Sequence, residues 1–236
     1  MKLHRFYIKG IHDKWGPLQL DHDVWIHDDK LLNEWLRVLH LKIGSQVVLF
    51  DDVNERIYAI DNIEQPSSVH LRLVTEEARK LPSRHVYLMW ALLTKAENER
   101  ILREGTKLGV RNFVPVITDT TGAHEFDMSL ARKAIIDEAE QYARADIPDV
   151  RELINLETLL AEYPDLPLYV CREGDGQFNE PLVEKLGILV GPKVGWNDEE
   201  QSLLTSKKLN FIDIPNISQK PEAETAMEVM KLIFND

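Results

Sequence analysis

Residues 186–200 read Leu-Gly-Ile-Leu-Val-Gly-Pro-Lys-Val-Gly-Trp-Asn-Asp-Glu-Glu, which is a complete strand, loop and helix start. The apolar run 186–190 is typical of a strand that is buried on both faces. Gly191-Pro192 ends that strand, because proline cannot donate to a central ladder. Asn197 and Glu200 form a capping-box pattern and predict that a helix begins here. Such a loop is either an ordinary strand-to-helix turn or a ligand-binding loop, and the remaining sequence must decide.

The C-terminal part of the chain, residues 84–236, continues this alternation of strand and helix. Apolar runs predict strands at 86–93, 112–117, 168–171 and 211–214, and helical spacing predicts helices at 96–108, 128–144, 155–163, 198–207 and 222–234. In the second helix we expect five side chains to face inward: Leu130, Ala134, Ile135, Ala139 and Tyr142. The alternation predicts an α/β fold with a parallel sheet covered by helices.

The first 74 residues have a different pattern, with several short strands and one helix. Strands are predicted at 46–50, 56–60 and 68–74, and a helix at 28–39. This pattern favours a small β-barrel. Residues 75–83, which include Pro82, are the predicted linker, so the domains are 1–74 and 84–236.

The net charge of −12 argues against a protein that holds nucleic acid through its overall electrostatics. The charge is uneven, because residues 1–73 carry 9 Lys/Arg and 11 Asp/Glu (−2), whereas the remainder carries 19 and 29 (−10). The N-terminal part is therefore the less repulsive candidate for an RNA contact.

The sequence also bears on location. No apolar run reaches the roughly 18–20 residues that a membrane span needs, and the first residues lack the apolar core of a signal peptide. Cys171 is the single cysteine, which excludes an intrachain disulfide and suits a reducing cytoplasm. We therefore expect a cytoplasmic protein without a membrane association.

Several kinds of catalytic site are not indicated. His22 and His27 lie among aspartates but lack zinc-ligand spacing, so they are interpreted as part of a solvated loop, and no metal site is predicted. No glycine-rich nucleotide fingerprint or Walker loop is present. Cys171 ends an apolar strand and is interpreted as a core thiol rather than a nucleophile.

Three late loops share one placement. Residues 172–178, 191–196 and 214–223 each follow a predicted strand, and carboxyl ends of parallel strands meet at the same sheet edge. If the three strands are neighbours, the loops converge on one crevice. This pattern predicts a binding site but does not name the ligand.

Six segments in order resemble the bacterial 16S ribosomal RNA uridine-N3 methyltransferase family, small-subunit methyltransferase E, of the SPOUT superfamily. The segments are His4-Arg5-Phe6, 35–44 (WLRVLHLKIG), 106–115 (TKLGVRNFVP), 138–144 (EAEQYAR) with Ile147-Pro148, 191–199, and Glu224-Thr225-Ala226. Residues 191–199 resemble the family motif G-P-E-G-G-F. The resemblance runs over most of the chain.

The resemblance implies an N-terminal PUA-like β-barrel that binds RNA and a C-terminal SPOUT domain with a trefoil knot. It implies S-adenosylmethionine as the cofactor, a homodimer, and 16S rRNA of the small ribosomal subunit as the partner. The implied catalytic residues are Arg144, Gln141 and Glu224, and the implied RNA-binding residues are His4, Arg5 and Lys42. The implied cofactor-binding residues are Gly191, Pro192, Gly195, Ile214, Asn216, Ile217, Thr225 and Ala226.

Some charged positions differ from the family pattern. Lys193 stands where the family has Glu, and Gln219 and Glu222 stand where it has Arg. Lys193 or Lys220 could restore positive charge. Three hypotheses therefore stay open: uridine-N3 methyl transfer, a catalytically degenerate SPOUT homodimer that acts as an RNA-binding or interaction module, and methyl transfer to a different substrate.

Overall fold

The chain divides into two compact units in the computed structural model, which describes residues 3–13, 16–64, 68–121, 125–175, 183–207 and 209–234. The first unit is Met1–Leu81 with Ala139–Asp146, and the second is Pro82–Glu138 with Ile147–Asp236. The short segment Ala139–Asp146 thus groups by its contacts with the N-terminal unit, although it lies far along the chain.

The first unit is built on a five-stranded sheet. The strands of this unit, five in that sheet and two outside it, are β1 (His4–Tyr7), β2 (His12–Asp13), β3 (Gly16–Pro17), β4 (Asp23–Ile26), β5 (Gln46–Phe50), β6 (Glu55–Glu64) and β7 (Ser68–Glu76). The order is β1-β5-β6-β7-β4, with β1 parallel to β5 and the other pairs antiparallel. Strands β2 and β3 form a separate pair. The β-rich pattern predicted for this part of the chain is confirmed.

The predicted helix 28–39 forms, but not as one regular α-helix. Helix α1 covers Asp29–Asn33, with Asp28 accepting from the N–H of Leu31, and a π-helical turn continues it over Glu34–Val38. Trp35 in that turn is fully buried, and its ring lies 5.0 Å from the ring of Phe6. Helical spacing places Trp35 on the apolar face of this segment, and its burial confirms that prediction. The change from α-helix to π-helix is what the spacing does not indicate.

The second unit contains a wholly parallel sheet. Its strands are β8 (His85–Ala91), β9 (Asn112–Ile117), β10 (Asp149–Val150), β11 (Ile154–Asn155), β12 (Leu168–Glu173), β13 (Lys185–Val190) and β14 (Asn210–Ile214). The order is β10-β9-β8-β13-β12-β14, and β11 also pairs with β9. The predicted parallel sheet is confirmed.

Helices accompany these strands. They are α2 (Lys95–Leu108), α3 (Met128–Gln141), α4 (Leu156–Glu162), α5 (Asp198–Thr205), a 3₁₀ turn (Ile217–Gln219) and α6 (Glu222–Phe234). Asn197 and Glu200 form the predicted capping box of α5 in full. Among the described helices, none is both long and apolar enough to cross a bilayer.

The parallel sheet is buried on both faces. Along β8, Leu88 and Trp90 belong to a cluster that includes residues of α2 and α6, whereas Met89 belongs to a cluster that includes α4 and α5. Strand β13 divides in the same way, as its continuous apolar run predicts. The second unit therefore has helix, sheet and helix layers.

The inward face predicted for α3 is partly wrong. Ala134, Ile135 and Ala139 are buried as expected, but Leu130 and Tyr142 are each 44% exposed. The helix ends at Gln141, and Tyr142 lies beyond it. At the other end Ala131 is buried instead of Leu130, so the apolar stripe begins one residue later than the spacing of large side chains indicated.

Candidate functional site

The three late loops meet around one cavity in the second unit. Strand β12 lies between β13 and β14, so the three strand ends are neighbours. The cavity has a volume of about 340 Å³, and its loop-derived lining includes Arg172, Glu173, Gly191, Pro192, Lys193, Gly195, Trp196, Ile217, Ser218, Lys220, Glu222 and Thr225. The predicted convergence is confirmed for the described residues, while 176–178 of the first loop lie outside them.

The floor of this crevice is apolar. It is formed by Val170, Cys171, Val190, Leu204 and Phe211. Burial raises the pKa of the Cys171 thiol to about 12, so the sulfur stays protonated at neutral pH. Cys171 is therefore the predicted core thiol rather than a nucleophile.

Two glycines let the loop backbone pass close to other groups. A Cβ on Gly191 would lie 2.6 Å from Cζ2 of Trp196, and a Cβ on Gly174 would lie 2.5 Å from Cβ of Asp213. Larger residues would have to displace these neighbours, which explains the glycines in physical terms. Near Gly191 the crevice is therefore lined by the glycine backbone with the Trp196 ring packed against it.

Carboxylates tie the loops to one another. Glu173 Oε2 accepts from the N–H of Ser218 at 3.0 Å, and Glu222 Oε1 accepts from the N–H of Lys193 at 3.0 Å. The bond from Ser218 lowers the pKa of the Glu173 carboxyl, so this group is ionised at neutral pH. Each bond joins a different pair of the three loops, which fixes the outline of the crevice.

Cationic groups lie at the same edge. The Nε of Arg172 donates to Asp213 Oδ1 at 2.6 Å, and the guanidinium carbon lies 4.6 Å from the centre of the Phe211 ring. Lys220 donates to Glu228 at 2.5 Å. The crevice therefore combines an apolar floor with a rim on which charges of both signs are paired.

Thr225 contributes a polar group that the folded chain leaves unused. Its side chain lines the cavity, is 1% exposed, and its Oγ1 has no hydrogen-bond partner among the described residues. Burying a hydroxyl without a partner is unfavourable. The hydroxyl therefore keeps unused hydrogen-bonding capacity in a residue that lines the crevice.

The predicted cofactor residues divide into two groups. Gly191, Pro192, Gly195, Ile217 and Thr225 line the cavity. The other three lie beside it in the chain: Ile214 and Ala226 are buried in the apolar core, and Asn216 turns the backbone with φ 58°.

The predicted catalytic residues are placed differently. None of Arg144, Gln141 and Glu224 belongs to the lining of this cavity. Glu224 and Gln141 are exposed. The Arg144 side chain is buried, and its Nε and Nη2 donate to the two carboxylate oxygens of Asp146 at 2.9 and 3.0 Å.

The predicted RNA-binding residues lie in the first unit. His4 and Lys42 are exposed. Arg5 is not a free surface cation, because its Nη1 pairs with Glu55 at 2.5 Å and its Nη2 donates to the carbonyl of Arg144 at 3.3 Å. Arg5 therefore joins β1 to the segment that contains Arg144.

Several residues of the crevice escaped sequence reasoning. Glu173, Ser218 and Glu222 make the contacts between loops, and Trp196 packs against Gly191 within its own loop, yet no motif singles them out as a group. Their location in the chain could have identified them, since residues at the carboxyl ends of neighbouring parallel strands are expected at the same edge of the sheet. The described residues contain no cluster of three or more His, Cys, Asp or Glu side chains that could hold a metal ion.

Residues 79–218 match the family model described as the RNA methyltransferase domain, which covers more than half of the chain. The chain belongs to the RNA methyltransferase family. It is 25% identical over 233 residues to the ribosomal RNA small subunit methyltransferase E of Rickettsia conorii, covering 96% of this chain and 92% of that protein.

Two solved structures share the fold over almost the whole chain. The ribosomal RNA small subunit methyltransferase E of Neisseria gonorrhoeae, bound to S-adenosylmethionine, has a TM-score of 0.80 at 17% identity and covers 98% of this chain and 97% of its own. A probable rRNA-methyltransferase from Porphyromonas gingivalis has a TM-score of 0.81 at 16% identity, with 99% and 98% covered. At these identities the likeness is one of fold.

Proposed function

We propose that this protein transfers a methyl group from S-adenosylmethionine to N3 of a uridine in 16S rRNA, acting as a homodimer in the cytoplasm. The observation that carries the proposal is the crevice at three adjacent strand ends, in a chain of the RNA methyltransferase family. The names of the relatives support the substrate class, and the bound ligand of the Neisseria protein supports the cofactor.

The residues of the crevice fit the proposed cofactor. An apolar floor suits a purine ring, backbone groups of the glycine loop suit its polar edges, and the unpartnered Thr225 hydroxyl supplies one more hydrogen bond. We propose that Gly191, Pro192, Gly195 and Thr225 hold it, together with the backbone around 214–217 and Ala226. When bound, S-adenosylmethionine supplies an electrophilic methyl group.

The protein's side chains are proposed to stabilise the negative charge that develops on the uracil. Uridine N3 must lose its proton, and negative charge that develops on the uracil requires a fixed positive group nearby. We propose Arg144 for this role, with Asp146 fixing its guanidinium, and Gln141 and Glu224 as further polar groups. Because none of them lines the crevice of its own protomer, the proposal requires a second copy that completes the site.

The remaining elements of the proposal concern architecture. We propose that the first unit is the PUA-like barrel and carries RNA contacts at His4 and Lys42, whereas Arg5, whose guanidinium binds Glu55 and the carbonyl of Arg144, positions β1 beside that segment. Its five-stranded mixed sheet and its smaller negative charge support this assignment. We also propose that the second unit contains a trefoil knot, as the resemblance to the SPOUT superfamily implies.

The decisive experiment is calorimetry with S-adenosylmethionine, followed by mapping of methylated nucleotides in 16S rRNA from a deletion strain. We expect saturable binding and the loss of one N3-methyluridine that the wild-type gene restores. If the protein binds S-adenosylmethionine but the deletion strain loses a different modification, the proposed substrate is wrong and that nucleotide takes its place. Absence of binding at millimolar S-adenosylmethionine would refute the methyltransferase function.

Testing the role of Arg144 requires a variant that removes the charges of Arg144 and Asp146 together. Removal of Arg144 alone leaves the buried Asp146 carboxylate unpaired, which costs about 3–5 kcal/mol of stability. Arg144→Gln combined with Asp146→Asn removes both charges together. We expect this double variant to fold and bind S-adenosylmethionine but to lose methylation, and retained methylation would remove Arg144 from the mechanism.

A further inference from the structure

We propose that Glu222 is a positioning residue that closes the cofactor crevice by holding the glycine loop 191–195 against the start of α6. This inference rests on the proposed function, because it concerns the same crevice. It assigns a role to a residue that stands where the resembled family has an arginine.

Glu222 is the first residue of α6, and its side chain lines the cavity. Its Oε1 accepts from the backbone N–H of Lys193 at 3.0 Å, across 29 positions of sequence. Thr225, one turn later, lines the same cavity, and its buried hydroxyl has no partner among the described residues. The first turn of α6 therefore both bonds the glycine loop and forms part of the cavity wall.

The glycine loop needs such an anchor. Its own turn is closed by the N–H of Gly195 donating to the carbonyl of Pro192 at 2.9 Å, which fixes its shape but not its position relative to α6. Pro192 has no N–H to contribute. Val194 at the tip is 80% exposed, so apolar burial does not hold the tip in place.

The bond uses an acceptor that an arginine cannot provide. A carboxylate accepts an N–H strongly, whereas a guanidinium only donates. The chain thus joins the two loops through the backbone of residue 193, and the side chain of Lys193 is exposed. The replacement at 222 is therefore compatible with an organised crevice rather than a sign of a lost one.

An acidic side chain in the first turn of a helix also interacts favourably with the helix dipole. The test must therefore separate this dipole interaction from the hydrogen bond that Glu222 accepts from Lys193. Glu199 provides the control, because it is an exposed glutamate in the first turn of α5. Glu222→Gln keeps an oxygen acceptor and removes the charge, and Glu222→Ala removes both.

The first measurement is amide hydrogen exchange at Lys193, without any ligand. We expect exchange about 10-fold faster in Glu222→Ala, equivalent to about 1.4 kcal/mol, and within about 3-fold of wild type in Glu222→Gln and Glu199→Ala. Equal rates in Glu222→Ala and wild type would overturn the inference, whether or not the protein is a methyltransferase.

The second measurement is calorimetry with S-adenosylmethionine on the same variants. We expect the dissociation constant to rise about 10-fold in Glu222→Ala, with Gln restoring most of the affinity and melting temperatures close to wild type. Equal weakening in Glu222→Gln and Glu222→Ala would overturn the inference. If wild type itself does not bind, the proposed function fails, and the exchange measurement alone decides whether Glu222 anchors the loop.

Discussion

Replacement of Thr225 by valine is expected to change stability and ligand affinity in opposite directions. The threonine hydroxyl is buried at 1% exposure and has no partner among the described residues. Valine has nearly the same shape and helix propensity, so the variant chiefly removes an unpartnered polar atom. The cost of burying such a group is roughly 1–3 kcal/mol from mutational data.

Taking the lower end of that range, Thr225→Val should raise the free energy of unfolding by about 1 kcal/mol. For a chain of this size the melting temperature should then rise by about 2–4 °C. Affinity for S-adenosylmethionine should fall about 5-fold, because a hydrogen bond of about 1 kcal/mol to the ligand is lost. Differential scanning calorimetry and isothermal titration measure the two effects.

Thr225→Ser is the matched control, since it keeps the hydroxyl and removes a buried methyl group. It should lose about 1 kcal/mol of stability and retain affinity within about 2-fold. If Thr225→Val lowers stability, the hydroxyl has a partner in the folded chain. If affinity does not change, the hydroxyl does not contact the ligand, and either result refutes the reasoning.

Two substitutions and one measurement on the native protein test the second unit. Asn98→Ala should lower the free energy of unfolding by about 3–5 kcal/mol in urea titration, because Asn98 bonds the indole N–H of Trp90 and both the N–H and C=O of Leu93. Gly191→Ala should raise the dissociation constant for S-adenosylmethionine about 10-fold in calorimetry, because the new methyl group would displace the Trp196 ring. Native Cys171 should resist iodoacetamide at pH 8 and react once unfolded. As its folded pKa is raised to about 12, stability should fall as pH rises from about 9 towards 12.

Asn98→Ala has a matched control on the same helix, and each of the three expectations has an outcome that contradicts it. Glu104→Ala, on the exposed side of α2, loses only an i,i+4 ion pair with Arg100 and should cost less than about 0.5 kcal/mol. A similarly small cost for Asn98→Ala would contradict the three-bond account. If Gly191→Ala leaves the affinity for S-adenosylmethionine unchanged, the Trp196 ring moves aside without affecting the crevice. Rapid labelling of native Cys171 would show that its strand opens.

Much of the second unit follows from local sequence. The run 186–190 gave a strand buried on both faces, and Asn197 with Glu200 gave a complete capping box, because these features depend on neighbours within a few residues. The crevice also followed from position, once three loops were assigned to strand ends. The first unit was predicted less fully, since a π-helical turn around Trp35 depends on what the ring packs against.

The sequence by itself determined the alternation of the longer strands and helices in the second unit, the parallel sheet and the place of the crevice, because short-range periodicity and turn chemistry encode them. It did not indicate strands β1 to β4, β10 or β11. Only the tertiary structure decided which side chains act in the crevice. The hydrogen bonds that Lys193 N–H donates to Glu222 and that Ser218 N–H donates to Glu173 join residues 29 and 45 positions apart. No local pattern specifies such pairs, because they form only after the sheet has brought the strand ends together.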